Sequence, residues 1–207
     1  MAGYVSDAVV KRLPAYYRHL QELEKEGVNQ ISSRDLGERM GLTASQIRQD
    51  INSFGGEGRQ GYGYSVSGMR KHIGHVLGVD RQHRMIIVGA GNIGRAIAGA
   101  GSFPQIGFET AAIFDSDSQK IGEMIHGIPV QDIAELERFV SEQPVDIAVL
   151  AVPADKAQGI AQRLSDLGVK GFWNFAPVDI KLPRGAVVEN VHLDESLEVL
   201  SFRILQE

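Results

Sequence analysis

A glycine-rich hexapeptide between an apolar run and a helix-like segment is the feature that most constrains this chain. It matches the pattern G-x-G-x-x-G, follows the apolar run at 85–88, and opens a segment with helical periodicity. That order of strand, loop and helix is typical of a βαβ dinucleotide-binding unit, in which the loop and the helix N-terminus hold a pyrophosphate. The predicted cofactor-binding loop consists of Gly89, Ala90, Gly91, Asn92, Ile93 and Gly94.

The three glycines of this loop have separate predicted roles. Gly89 allows the tight turn, Gly91 lets backbone amides approach the pyrophosphate, and Gly94 lets the helix pack closely on the strand.

An acidic residue follows the glycine motif at the expected distance. Asp115 ends the next apolar run, 21 positions after Gly94, where a carboxylate holds the ribose hydroxyls of a dinucleotide. A carboxylate there repels a 2'-phosphate, which favours NAD(H) over NADP(H). Lys120 is the only cation near it in sequence, and we expect it to approach the adenine side. The alternative reading of Asp115 is an ordinary turn residue next to residues 116–118.

The chain after residue 84 alternates apolar runs with helical segments. The runs lie at 85–88, 111–114, 147–152 and 172–175, and helical stretches lie at 93–100, 133–140 and 155–167. This alternation predicts an α/β fold of the Rossmann type, a doubly wound parallel sheet with helices on both faces. The loops at the carboxyl ends of its strands should surround a nicotinamide ring, which assigns Pro153, Ala154 and Phe175 to the cofactor site. Ordinary strand-to-helix turn chemistry is the alternative.

Two capping boxes predict a pair of short helices in the N-terminal part. Ser32 and Asp35 start a first helix, which Gly41 ends, and Thr43 and Gln46 start a second. Two helices joined by a glycine-containing turn form a helix-turn-helix, whose second helix enters the DNA major groove. The residues predicted to face inward are Leu36 and Met40 on the first helix and Ile47, Ile51 and Phe54 on the second.

The outward face of the second helix carries side chains that can contact bases or phosphates. Arginine pairs with guanine, and glutamine or asparagine pairs with adenine. Asp50 is the exception, and we expect it to pair with Arg34 or Arg48 inside the domain rather than to face phosphates. The predicted DNA-contacting residues of this helix are Ser45, Gln46, Arg48, Gln49 and Asn52.

Basic residues on both sides of the helix pair extend the predicted DNA surface. A glycine- and tyrosine-rich hairpin at 55–66 is typical of a wing, with Arg59 near its tip and Tyr62 beside it. Upstream, a helix with Leu13, Tyr17 and Leu20 on its inner face leaves further cations for phosphates, namely Lys11, Arg12 and Arg18. A solvated basic face and an αα-hairpin that binds protein remain as alternatives.

Charge and composition agree with a DNA-binding N-terminal part and a different C-terminal part. Residues 1–84 carry 12 basic and 9 acidic side chains, whereas the remainder carries 9 and 17, so only the first part is basic. The sequence contains no cysteine, which excludes disulfides and thiolate chemistry. The first residues lack the basic and apolar pattern of a leader peptide, and the sequence has no run of about 18 apolar residues, so we expect a cytoplasmic protein.

We therefore divide the chain into three parts. Residues 1–84 form a winged-helix DNA-binding domain that includes a connector helix at 67–79, residues 85–192 form the Rossmann domain, and 193–207 form a C-terminal helix. Apolar residues follow one face of this last helix, so it either docks on its own sheet or pairs two subunits. They are Leu193, Leu197, Leu200, Ile204 and Leu205.

The sequence offers little to an enzyme. A dehydrogenase needs an acid or base beside the nicotinamide, yet the strand-end loops carry Pro, Ala, Asn and Phe. His126 and His192 have no evident acidic partner in sequence, and no metal-ligand spacing is visible. An NAD-dependent oxidoreductase with an accessory helical domain, and a scaffold that binds another nucleotide such as coenzyme A, remain the competing classes.

The two halves together resemble the Rex family of redox-sensing repressors over essentially the full chain. The matching stretches are 11–18, 46–55, 58–64, 89–94, 114–117, 152–154, 173–177 and 193–205. The resemblance implies a non-enzymatic homodimer with N-terminal winged helices, NAD(H)-binding Rossmann domains and a C-terminal helix that is swapped into the partner. It also implies that NADH releases the protein from a palindromic operator.

Two positions depart from the family pattern. Relatives often carry an aromatic residue where Ala100 stands, near the nicotinamide, although Phe103 can partly replace it. Relatives also place Asp where this chain has His192, so an ion pair made by that acid cannot be carried over.

Overall fold

The chain forms two compact units. A computed structural model describes residues 6–55 and 63–206, and the units are Met1–Arg81 and Gln82–Glu207. Each unit has its own hydrophobic core. The predicted boundary after residue 84 falls within the first strand of the second unit, His83–Val88.

The first unit is helical with a small antiparallel sheet. Helix α2 packs against α5, and α3 packs against α4 in the helix-turn-helix. Strand β1 pairs with β2, with Ile31 opposite Tyr64. The elements are α1 (Asp7–Val10), α2 (Leu13–Lys25), β1 (Gln30–Ile31), α3 (Ser33–Met40), α4 (Ala44–Ser53), β2 (Tyr64–Ser65) and α5 (Val66–Leu77).

Both predicted helix starts in the helix-turn-helix are confirmed. The Ser32 hydroxyl accepts a hydrogen bond from the Asp35 backbone N–H at 3.1 Å, and the Thr43 hydroxyl accepts one from the Gln46 N–H at 3.1 Å. Gly41 ends α3 at φ +67°, a conformation that glycine adopts without steric cost. Each cap thus satisfies one of the free backbone donors in the first turn of its helix.

The inner face of α2 differs by one position from the prediction. Leu13, Tyr16 and Leu20 are fully buried, whereas Tyr17 is only half-buried. The spacing of three and four residues places Tyr16 at the centre of the stripe, so the choice of Tyr17 was wrong. The inward positions predicted for α4 are confirmed, because Ile47, Ile51 and Phe54 belong to the same core.

The helix predicted at 67–79 exists, but it is part of the first core. Met69 and Ile73 are buried against α2, and Gly78 ends the helix at φ +72°. Val76 is exposed, contrary to the expected apolar face. Helix α5 is therefore a packed core element, because its buried side chains lie over α2.

The second unit is a seven-stranded sheet with helices. Its strands are β3 (His83–Val88), β4 (Phe108–Asp115), β5 (Met124–Ile125), β6 (Ile128–Asp132), β7 (Ile147–Leu150), β8 (Gly171–Asn174) and β9 (Val187–Asn190). Its helices are α6 (Asn92–Ala98), α7 (Leu136–Glu142), α8 (Ala154–Asp166) and α9 (Leu193–Ile204), with short 3-10 turns at Pro104–Ile106 and Ile133–Glu135.

Strand order confirms the predicted Rossmann fold. The order is β5-β6-β4-β3-β7-β8-β9, and every neighbouring pair is parallel except β5 with β6. Leaving out β5, this is the doubly wound order 3-2-1-4-5-6. The order reverses between β3 and β7, and a ligand crosses such a sheet outside the carboxyl ends of these two strands.

Three strands escaped the sequence patterns. Strands β5, β6 and β9 are two, five and four residues long, and none contains a run of four apolar residues. They lie towards the two edges of the sheet, where burial on both faces is not required.

The C-terminal helix α9 is uncovered within the chain. None of its residues is buried, and Leu197 and Leu200 keep 66% and 52% of their surface exposed. The alternative that α9 docks on its own sheet is therefore wrong for the single chain. None of the described helices is long and apolar enough to cross a membrane.

Candidate functional site

A cleft of about 870 Å³ opens at the point where the strand order reverses. Gly89 follows β3 at one side of it, and Pro153 follows β7 at the other. Asp115 at the end of β4 and Lys120 in the loop that follows also line the cleft. The topology of the sheet thus brings these residues, which are up to 64 positions apart in sequence, to one edge.

The glycine loop has the shape that a dinucleotide requires. A Cβ atom on Gly89 would lie 2.2 Å from the Ala151 carbonyl oxygen, and one on Gly94 would lie 1.9 Å from the Gly89 oxygen. Gly91 lines the cleft with open space around its Cα. Two glycines therefore permit packing within the fold, while the third leaves room for a ligand.

Asp115 is tied to the glycine loop, which the sequence did not reveal. Its carboxylate accepts hydrogen bonds from the Ala90 N–H at 2.8 Å and the Asp117 N–H at 2.9 Å, and from Lys120 Nζ at 3.1 Å. Burial alone would raise the Asp115 pKa, but these donors and the Lys120 charge hold the pKa below its usual value. The ionised group has about four lone-pair sites, so it retains capacity for a ribose hydroxyl.

Cations other than Lys120 also line the cleft. Lys120 Nζ is occupied by Asp115 and lies 3.6 Å from Asp117. Lys156 and Arg163 come from α8, and the sequence patterns did not assign these two cations to the site. Sequence reasoning missed these two because they belong to a helix about 40 residues further on, which the sheet topology brings back.

Of the three residues assigned to the nicotinamide side, one lines the cleft. Pro153 is part of its wall, and Ala154 begins α8 as an exposed residue. Phe175 packs on Trp173 with ring centroids 4.7 Å apart, and Trp173 contacts Phe103 at 5.7 Å. The contact of Ala154 and Phe175 with a ring stays a prediction, as do the ligand contacts of Asn92 and Ile93 in the loop.

The departures from the family pattern have defined surroundings. Ala100 follows α6, three residues before the aromatic contact made by Phe103. His192 precedes α9, and its Nε2 lies 2.8 Å from Asp179 Oδ1. This contact with Asp179 raises the His192 pKa.

Helix α4 presents the polar surface that the sequence predicted. Its outward side chains are exposed, except that of Gln46, which is half-buried. Arg48 donates from Nη1 to the Ser33 hydroxyl at 3.1 Å across the helix pair. The exposed members of the predicted set are Ser45, Arg48, Gln49 and Asn52.

Asp50 has a different partner from the one expected. It does lie inside the unit, but it accepts two hydrogen bonds from Arg12, each 2.7 Å long, rather than pairing with Arg34 or Arg48. The guanidinium comes from the start of α2, 38 residues away in sequence, and no local pattern reveals that approach. Arg12, predicted to bind phosphate, thus already uses two of its donors within the protein.

The other predicted phosphate contacts divide into described and undescribed residues. Lys11 and Arg18 are exposed on or beside α2. Arg59 and Tyr62, assigned to the wing, lie outside the described residues. The described residues contain no cluster of three His, Cys, Asp or Glu side chains that could hold a metal ion.

Comparison with known proteins finds a match for each of the two units. A family model described as "Putative DNA-binding protein N-terminus" matches residues 4–52, and one described as "CoA binding domain" matches residues 80–178. The redox-sensing transcriptional repressor Rex of Thermoanaerobacter sp. (strain X514) is 48% identical over 203 residues, which cover 98% of this chain and 91% of that protein. This chain belongs to the Rex family. It is a redox-sensing transcriptional repressor by family, rather than an enzyme.

Solved Rex structures match the whole fold. RSP, a Rex-family repressor, in complex with beta-NAD+ and operator DNA has a TM-score of 0.93 and 47% identity, covering 98% of this chain and 94% of that one. RSP in complex with beta-NADH has a TM-score of 0.90 and 45% identity, covering 98% and 95%.

Proposed function

We propose that this Rex-family protein binds a palindromic operator as a homodimer when NADH is scarce, and leaves it when NADH binds. The observation that carries the proposal is that the cleft and helix α4 of one chain both fall within its match to RSP bound to beta-NAD+ and operator DNA. Because such a regulator must share a compartment with its operator DNA, we assign it to the cytoplasm.

The cleft supports NAD(H) as the effector. Gly91 leaves space for the pyrophosphate, and Asp115 is ionised and still able to accept from a ribose hydroxyl. Coenzyme A carries a phosphate on its ribose, which a buried carboxylate would repel. Titration with NADH, NADPH and coenzyme A separates these candidates. If NADPH or coenzyme A, which carry an extra phosphate on the ribose, bound more tightly than NADH, the assignment would be overturned.

The charge of the nicotinamide supplies a reason for redox sensing. NAD+ carries a positive ring, whereas the ring of NADH is neutral. In the proposed complex the ring enters an apolar pocket formed by Pro153, Ala154, Phe175 and the C-terminal helix of the second subunit. The cationic ring loses its hydration there without compensation, so the pocket favours NADH.

Helix α9 supports dimer formation. Besides the predicted stripe through Leu197 and Leu200, it exposes Val199 and Phe202, which lie on the other side of the helix. A helix with apolar residues on two faces needs cover on both, as a helix swapped into a second subunit would have. A separate apolar hollow of about 360 Å³ in the same unit, next to Phe103 and Trp173, adds surface for such a contact.

In the proposed dimer, the spacing between the two copies of α4 connects NADH binding to operator binding. Two copies of α4 reach successive major grooves only if they stand about 34 Å apart, so a rotation of the subunits on NADH binding is enough to lose operator affinity.

Titration of operator binding with each cofactor tests the proposal. At fixed salt, NADH should weaken operator binding, and NAD+ should have a much smaller effect. Because binding free energies are linked, saturating operator should weaken NADH binding by the same factor. Equal effects of both cofactors on DNA binding would contradict redox sensing, and NADH oxidation coupled to a substrate would favour the oxidoreductase.

A further inference from the structure

A buried carboxylate joins helices α2 and α4 in the first unit. Asp50 on α4 keeps only 1% of its surface exposed. Besides its two bonds from Arg12, it accepts from the Tyr16 hydroxyl at 3.0 Å and from Gln46 Nε2 at 2.7 Å. Four hydrogen bonds therefore converge on this one group, and one of them comes from a predicted base-contacting side chain.

The surroundings of Asp50 keep it ionised. Burial alone would raise its pKa, but the hydrogen bonds from Arg12, Gln46 and Tyr16, together with the Arg12 charge, hold the pKa below the usual value. Burial and the bond to Asp50 raise the pKa of Tyr16 well above its usual value, so this hydroxyl stays protonated and donates. Asp50 can therefore only accept hydrogen bonds.

An acceptor at that position determines which way the Gln46 amide faces. A glutamine amide has an oxygen that accepts and a nitrogen that donates twice. Turning the oxygen towards Asp50 would bring two acceptors together in a buried place, so the nitrogen must face the carboxylate. The oxygen and the second N–H then form one edge with a fixed order of acceptor and donor.

That edge matches adenine. Glutamine pairs with adenine by donating to N7 and accepting from N6–H in the major groove. Gln46 is the third residue of α4, and the N-terminal residues of a recognition helix are those that contact base edges. Gln49, one turn later, is exposed and faces solvent without such a constraint.

We propose that Asp50 is a positioning residue that orients the amide of Gln46 to read one adenine in each operator half-site. The inference rests on the proposed function, because it assumes that α4 enters the major groove. Arg12 serves the same end by holding Asp50 in place from α2.

Single base-pair substitutions through the half-site test this proposal. Full-length protein without NADH is titrated at fixed salt with each substituted operator. Wild type should prefer one A·T pair by roughly tenfold to a hundredfold, the discrimination of a bidentate contact. Gln46→Ala should abolish that preference alone. Gln49→Ala removes a different predicted contact of the same helix, so it should keep the preference at this pair even where it weakens binding as a whole.

Two further variants separate positioning from folding. Asp50→Asn keeps the shape but offers either an oxygen or a nitrogen to Gln46, so preference at the same pair should fall while preferences elsewhere change less than about twofold. Gln46→Glu leaves Asp50 unchanged and presents only acceptors, so preference at that pair should move towards cytosine. Thermal unfolding of each variant monitors the fold.

The results distinguish this inference from the proposed function. Unaltered base preference in folded Asp50→Asn, or an equal loss of affinity for every sequence, would leave Asp50 a purely structural residue and overturn the inference. Unchanged preferences in Gln46→Ala would also overturn it. A wild-type protein that binds no operator would instead contradict the proposed function.

Discussion

Alanine substitutions of two glycines in the same loop should have different effects, one on stability and the other on NADH binding. An alanine Cβ at position 94 would meet the Gly89 carbonyl oxygen at 1.9 Å, whereas one at position 91 would meet nothing within 4 Å. Gly94→Ala should destabilise the second unit by about 1–3 kcal/mol, as overpacking does. Gly91→Ala should keep its stability but weaken NADH binding by roughly tenfold, the effect of one lost hydrogen bond to a charged group.

Thermal unfolding and NADH fluorescence titration on both variants measure this difference. Each variant serves as the control for the other, since both add one methyl group to the same loop. If Gly91→Ala binds NADH as wild type does, the pyrophosphate does not approach that residue.

The contact between His192 and Asp179 predicts a pH dependence at the start of α9. The raised His192 pKa is caused mainly by the hydrogen bond that the ring donates to Asp179. Desolvation opposes this shift, and the negative charges of Asp179, Glu195 and Asp194 add to it. Because the folded-state pKa is raised, the contact stabilises the fold fully below the unfolded His pKa of about 6.5, and this is lost as pH rises through the folded value. Above that pH, α9 loses this attachment.

Titration of the His192 ring by NMR tests the cause. Asp179→Asn should lower the His192 pKa more than Asp194→Asn, which removes a more weakly acting charge from α9. An equal response to the two substitutions would mean that the Asp179 contact does not persist in solution.

At the scale of the element, α4 depends on its cap. The Thr43 hydroxyl satisfies the N–H of Gln46, and the Gln46 side chain does not complete a capping box because it is committed to Asp50. The capping box predicted from sequence is thus only half formed, and the Thr43 hydroxyl provides the side-chain cap at the start of α4.

Removal of this cap should loosen α4. Thr43→Ala is expected to destabilise the first unit by about 1 kcal/mol, the typical effect of a lost N-cap, whereas Thr43→Ser should be close to wild type because it keeps the oxygen. Urea unfolding and hydrogen exchange of the α4 amides measure the change. Equal protection in both variants would show that the hydroxyl contributes nothing.

For the whole molecule, the exposed apolar surface of α9 predicts a subunit interface. Leu197→Glu should convert the dimer to monomer and abolish binding to a palindromic operator, because a charge would be buried in the contact. Glu198→Gln, next to it on α9, should leave assembly unchanged. Sedimentation equilibrium measures the assembly, and a Leu197→Glu protein that remains dimeric would place the interface elsewhere.

The sequence predicted the position of the glycine loop, the strand that ends at Asp115 and both helix starts, because their signals are local. Each depends on backbone geometry or on a side chain within three residues, and the strand before Gly89 is a continuous apolar run. The Rossmann order followed from alternating strands and helices, since crossover connections leave few topologies.

Contacts between segments that are distant in sequence could not be predicted from local patterns. The partner of Asp50 is 38 residues away, and the choice of Tyr16 over Tyr17 depends on which side of α2 meets α4 and α5. Strand β9 has only two consecutive apolar residues, Val187 and Val188, and it forms a strand by pairing with β8.

By itself, the sequence determined the two folds, the glycine loop after the first strand of the second unit and the helix that presents polar side chains, because periodicity, caps and glycine conformation act over a few residues. Only the tertiary structure decided that Asp115 holds the glycine loop through Ala90, and that Asp50 is held by Arg12 and in turn holds Gln46. The hydrogen-bond donors around a buried carboxylate come from whichever segments the fold brings close to it, and the sequence pattern around the carboxylate does not reveal them.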